Sequence, residues 1–278
     1  MIGLIGAELR KARRRWATWL VLAMLLGMMA LVYLVVALTG GGPRASATIT
    51  RFPAAYGVIN QFVFGLGSLL GIAWTASMAG ADWSWGTIRV VLARGEGRIR
   101  YALAKAAALG ICLVIAVVIA YAVGMALAAL TGLALGETTG RPFSDLGRED
   151  LLSSLGYGTL VLLERAAIGF AVATVLRSQL AGVVAGIGLS IGEGILSTVL
   201  FALAMSGDGL ARTQTQWYQL LPFRIGESLL AAVRGPSSDL SAMFGKPVEP
   251  GLALLVTAGY LAVALAVAAL ALRRAEVA

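Results

Sequence analysis

The chain has no histidine, a single cysteine in 278 residues, and only 13% charged residues. Without histidine there is no Ser-His or Cys-His nucleophile pair, no HExxH zinc site and no imidazole proton relay. Cys112 alone excludes an intrachain disulfide and, lying in an apolar run, says nothing about redox compartment. No GxxxxGK[ST] occurs, and Gly245-Lys246-Pro247 does not replace it, so any ATP hydrolysis belongs to another chain. Ser68, Ser153 and Ser190 are nucleophiles without a base, and no intramembrane aspartate pair is present. No catalytic, metal-binding or cofactor-binding residues are therefore expected, and the chain is read as a non-enzyme.

What the chain does have is apolar length. Hydrophobic residues make up 59% of it, and runs of more than about 18 apolar residues recur, the mark of membrane spans. Six spans are expected, at 17–38, 56–80, 105–135, 151–176, 180–205 and 251–272. Each is long enough to cross ~30 Å of hydrocarbon at ~1.5 Å per residue. Helix is the expected state, because a segment in lipid must satisfy its own backbone. The fold class is all-α integral membrane, as one transmembrane domain over 1–278. No internal repeat is visible.

The charges orient these spans. With the N-terminus inside, the cytoplasmic segments hold thirteen basic residues against four acidic ones, while the outer segments balance. Both termini are expected in the cytoplasm of a multi-pass cell-membrane protein. The formal charge of +8 is thus assigned to the membrane face, not to nucleic acid. The basic start and the Ala45–Ala47 stretch resemble a signal peptide, but the intervening apolar run is too long for one. On a helical wheel Ile2, Ile5, Leu9, Ala12 and Trp16 share a face and Arg10, Lys11, Arg14 and Arg15 lie opposite. Residues 1–16 therefore read as an amphipathic interfacial helix.

Between spans three and four, "GETTGRPFSDLGRED" reads as a short polar outer loop. The outer loop 206–250 is longer. Its "QWYQLLPFRIGESLLAAVRG" around Pro222 fits two short helices dipping into the outer leaflet with Trp217 and Tyr218 at the headgroups, and equally a folded external loop.

The segment 81–104 is the unusual one: "ADWSWGTIRVVLARGEGRIRYALA" is too polar for membrane. Trp85, Ile88 and Leu92 are expected on one helical face, with Thr87 and Arg94 pointing away, and "RGEGR" gives a glycine-bracketed turn. With Lys105 following, the segment resembles the coupling region of the type-two permease subunits of ATP-binding-cassette (ABC) exporters. Asp82 takes the acidic position, Gly86-Thr87 the Gly-Thr pair, Arg98 the arginine and Lys105 the terminal lysine. The amphipathic start "LIGAELRKARRRWATWLVL", the six spans and Leu221-Pro222 before the last span add to the likeness. The family usually has Glu where Asp82 stands, often a second Glu at Ser84, and Pro before the arginine, where this chain has Gly95-Glu96-Gly97.

That resemblance implies an N-terminal elbow helix and a cytoplasmic coupling helix. It implies docking of a separate ABC ATPase, which would bind ATP and Mg, through Asp82, Trp85, Gly86, Thr87, Arg89, Arg94 and Arg98. It further implies two permeases per working unit, identical or paired, exporting a hydrophobic or amphipathic substrate.

Three ionisable residues lie within spans: Glu164, Arg165 and Glu193. Each is costly in hydrocarbon unless it faces protein or water. Spans four and five form a hairpin turning near Gln179, and fourteen residues each way reach Arg165 and Glu193, so a pair between them is expected. These residues read either as a clamp between helices or as a substrate or proton path. The latter gives the alternative function, an ion-coupled secondary transporter. Span five carries Gly182, Gly186, Gly188 and Gly192, which permit close helix contact within one chain or between two.

Overall fold

The computed structural model describes residues 1–40, 42–88, 97–206, 217–234 and 248–274. Arg89, Arg94 and Leu92 lie outside them. Among the described residues the chain is built of helices. A short α1 (Ile2–Arg14) leads into α2 (Trp16–Thr39), then a surface helix α3 (Pro43–Thr50). The long helices α4 (Ala55–Ser84), α5 (Arg98–Ala134), α6 (Asp145–Leu176) and α7 (Gln179–Ser206) follow. A single tight turn at Trp217–Leu220 precedes the short α8 (Pro222–Arg234), and α9 (Pro250–Arg273) closes the described chain.

Six of these helices, α2, α4, α5, α6, α7 and α9, are long and apolar enough to cross a membrane. The architecture is that of a multi-pass membrane protein. The expected spans match these helices, but three of them run further than hydropathy suggests, α6 beginning at Asp145 where the expected span begins at Leu151. Helix α4 continues past Gly80 to Ser84, and α5 begins at Arg98 instead of Lys105. At ~1.5 Å per residue α5 is about 55 Å long, well beyond a ~30 Å hydrocarbon core. Asp82 thereby sits on a helical extension, and Lys105 lies about two turns inside α5 instead of at its start.

Helices α4 and α6 form the axis of the bundle. In each, 61% of the most apolar window is buried, against 11% in α7, which flanks them. Close approach is built in. A Cβ on Gly158 would lie 2.2 Å from the Phe64 ring, and one on Gly80 would lie 2.4 Å from the Gln179 Cα. The second contact seats the α6–α7 turn directly on the end of α4. Thr75 of α4 donates across to the Ala166 carbonyl of α6 at 2.9 Å. A wider turn of π type over Gln61–Leu66 interrupts α4, next to a buried polar set. There Tyr121 donates to Asn60 Oδ1, and Asn60 donates to Ser154 at 3.0 Å. This keeps three polar groups satisfied inside the bundle.

On the far side from α1, Arg51 pairs with Glu137 at 2.5 Å and the Phe52 amide donates to the Thr139 carbonyl at 2.9 Å. The polar loop after α5 is thus tied to the segment before α4.

Candidate functional site

The charged end of α4 is the most heavily connected polar site in the described chain. The Asp82 side chain is 2% exposed and that of Lys105 3%. They form an ion pair, and Tyr101, one turn before Lys105, donates its hydroxyl to the same carboxylate oxygen, Oδ2. Lys11 of α1 donates to the other oxygen, Oδ1. Thr87 donates to Oδ1 at 3.2 Å and to the Asp82 carbonyl at 3.3 Å. Glu8 stands 3.6 Å from Lys11 and 3.7 Å from Lys105. One carboxylate therefore gathers α1, α4, the start of the 81–104 segment and α5.

Burial explains why it must. A lone aspartate or lysine in this position would carry several kcal/mol of desolvation, so the geometry persists only with full pairing. The two motif positions furthest apart, Asp82 and Lys105, are brought into direct contact. Glu8, Lys11 and Tyr101 complete the cluster. Pattern reading misses them, since Lys11 reads as one more membrane-face cation and Tyr101 as part of a basic loop.

The same end is fastened from three other directions. Arg98 donates to the Arg273 carbonyl at 2.9 Å, joining α5 to the end of α9. Gln179 donates to Ser77 at 2.8 Å, and Arg177 lies over the Trp83 ring at 5.4 Å. Ile88 is buried with Tyr101, Ala102 and Leu272.

The expected common face of Trp85 and Ile88 is not formed. Gly86 has φ +66°, a left-handed turn that ends α4 and separates the two residues. Trp85 is left 64% exposed, with Arg15 over its ring at 4.6 Å. The expected helix over 1–16 also divides: Arg15 is extended, φ −81° and ψ 127°, so α1 ends at Arg14 and Trp16 starts α2. Within α1, Glu8 and Ala12 are buried and Ile2 is exposed. The inward edge thus includes a carboxylate as well as apolar residues.

The second charged group lies about 20 Å along α6 and α7 from their common turn, at ~1.5 Å per residue. Arg165 does not pair with Glu193. It donates to Glu227 Oε1 at 2.8 Å and to the Phe223 carbonyl at 2.7 Å. Glu193 accepts from the Arg224 amide at 2.8 Å. The first turn of α8 occupies the space between them, and each charge serves that turn's backbone. Glu193 caps its free N–H groups, where a carboxylate is favoured by the helix dipole. Tyr260 of α9 donates to the Leu220 carbonyl at 3.0 Å.

Residues 217–234 form one tight turn followed by one short helix, α8, packed on α6, α7 and α9. A Cβ on Gly226 would meet Val161 at 2.6 Å, so α8 lies against α6 at backbone distance. Tyr218 is buried and Trp217 exposed.

Glu164 is different. It is 0% exposed, and neither carboxylate oxygen has a hydrogen-bond partner. Of the glycines of α7, Gly182 and Gly186 pack within the chain, against Ala173 and Ile72, whereas a Cβ on Gly188 or Gly192 would meet nothing within 4 Å. Among the described residues no group of three or more Cys, Asp or Glu converges as metal ligands.

A search of curated proteins returns no match. Residues 20–278 match the family model described as "Protein of unknown function (DUF2705)", and the chain belongs to that family.

Proposed function

We propose that the chain is the membrane subunit of an ABC exporter, moving a hydrophobic or amphipathic solute and driven by a separate ATPase docked at 81–104. The observation that carries this reading is the buried Asp82–Lys105–Tyr101–Lys11 cluster. A lever must transmit displacement without yielding at its root. Here both ends of the 81–104 segment and the amphipathic α1 are locked to one carboxylate, while Trp85 stands out from the turn. Gly86 and Thr87 shape the turn, and Trp85 offers the contact. Asp82 and Arg98 anchor its ends.

Displacing the turn displaces α4, the most buried span together with α6, and so repacks the bundle axis. In this reading both termini are cytoplasmic in the cell membrane, α1 is the elbow helix and the region following Gly86 is the coupling helix. Two such subunits pair, with the open Gly188–Gly192 face of α7 available to the contact. The chain supplies no bond-making chemistry; it binds solute differently in two conformations.

The test is affinity purification of the full chain from its native membrane in mild detergent. A stoichiometric partner bearing GxxxxGK[ST] should co-purify, and Trp85→Glu should lower its recovery about tenfold, as for an interface aromatic. Solute transport by the purified chain alone, with no nucleotide-hydrolysing companion, overturns the reading.

One observation favours the second reading, an ion-coupled transporter: the fully buried, unpartnered carboxyl of Glu164. Uptake driven by a proton gradient in vesicles lacking ATP, abolished in Glu164→Gln, decides for it.

A further inference from the structure

A cavity of about 390 Å³ opens between α1, α2, α4 and α5. Val63, Trp74, Cys112 and Ala116 are among its walls, and Arg13 is the sole charged side chain lining it. Its wall on α2 runs from Thr18 to Leu25. That is about 10 Å of helix at ~1.5 Å per residue, within one leaflet of a ~30 Å hydrocarbon core. The volume falls in the range of small-ligand sites, ~300–1,000 Å³.

The polar atoms at the mouth are already engaged, with one exception. Thr18 Oγ1 donates to the Ala12 carbonyl at 2.7 Å, and Trp19 Nε1 donates to the Arg13 carbonyl at 2.8 Å. Trp74 Nε1 in turn donates to Thr18 Oγ1 at 3.1 Å. These bonds engage the Ala12 and Arg13 carbonyls at the end of α1. Lys11 is held by Asp82, and Arg15 by Met78 and Trp85. The Arg13 guanidinium is exposed and makes no hydrogen bond or ion pair among the described residues.

We infer that this cleft binds one acyl chain of an anionic phospholipid, with Arg13 holding the headgroup phosphate. The match is one of charge and polarity: an apolar slot of leaflet depth and a free cation at its rim. A soluble phosphate makes no use of the slot, and a neutral lipid makes no use of the cation. Basic sites between spans select anionic headgroups in this way. The inference does not depend on whether an ATPase drives the chain.

The experiment is native mass spectrometry of the full chain in detergent with equimolar phosphatidylglycerol and phosphatidylcholine of identical acyl chains. One phosphatidylglycerol should be retained in about fivefold preference, the discrimination expected from one basic residue at a lipid surface. Arg13→Gln, a surface change, should abolish the preference. Ala116→Trp, which fills the slot, should lose the bound lipid of either kind. Wild-type protein photolysed with diazirine-tailed phosphatidylglycerol provides a reading that needs no variant, and its adducts should concentrate around Cys112. Equal retention of both lipids, or an undiminished preference in Arg13→Gln, overturns the inference. So does labelling no denser in the cleft than on the exposed face of α7, or a cleft occupied by a second copy of the chain.

Discussion

Two buried carboxylates, Asp82 and Glu164, show opposite treatments of the same problem. Asp82 accepts from two lysines, a tyrosine and a threonine, drawn from α1, α5 and its own turn. Glu164 is more deeply enclosed and accepts from nothing. A charge fully paired is a structural rivet, since removing one member strands the others. A carboxyl with no partner contributes no such bond. It costs the fold and is kept, if at all, for what it does. Between them stand Arg165 and Glu193, each bound to the backbone of α8 and so committed to holding that short helix against α6 and α7.

The comparison breaks most sharply at Asp82. Asp82→Ala strips the buried Lys105 of its direct partner, leaving it Glu8 at 3.7 Å, and should lower stability by about 3–5 kcal/mol, seen as a fall in thermal midpoint in detergent. The double change Asp82→Ala with Lys105→Met should recover part of that loss, because the stranded charge is gone; strict additivity would mean the two residues do not interact. Next in size is Arg165→Met. It removes the hydrogen bonds from Arg165 to the Phe223 carbonyl and Glu227 and should cost about 1.5–3 kcal/mol, with proteolysis at 217–234 accelerated before the bundle itself unfolds.

Glu164→Leu sharpens the contrast, since it removes a carboxyl that makes no bond. The thermal midpoint should stay the same or rise, and a drop comparable to that of Asp82→Ala would erase the distinction. Smallest is Trp85→Glu, which should change stability by less than about 0.5 kcal/mol, as for an exposed side chain, while weakening partner recovery. Equal loss of stability and binding would make Trp85 a core residue instead of a contact.

The spans were legible because a bilayer imposes a long apolar run that few other environments require, and α2 and α9 show it with little interruption. Their limits were less so. Asp82 and Arg98 read as loop because an isolated charge ends an apolar run, whereas here each of the two has a partner on another helix. Lys11, 71 residues from Asp82, carries no local sign of that pairing. Arg165 and Glu193 both reach the first turn of α8, but the hairpin count that paired them could not see that helix inserted between them. Glu227 lay in a stretch with two open readings and was overlooked for that reason. Gly86 held the clue to the failed Trp85–Ile88 face: a glycine between them allowed the left-handed turn that ends α4.

The most direct test of the account places a photoreactive phenylalanine analogue at position 85 of the full chain and irradiates native membranes. The account predicts a covalent adduct to a separate chain carrying a nucleotide-binding GxxxxGK[ST] sequence. An adduct only to lipid or to this chain itself, or labelling of position 85 from the external medium, would contradict it.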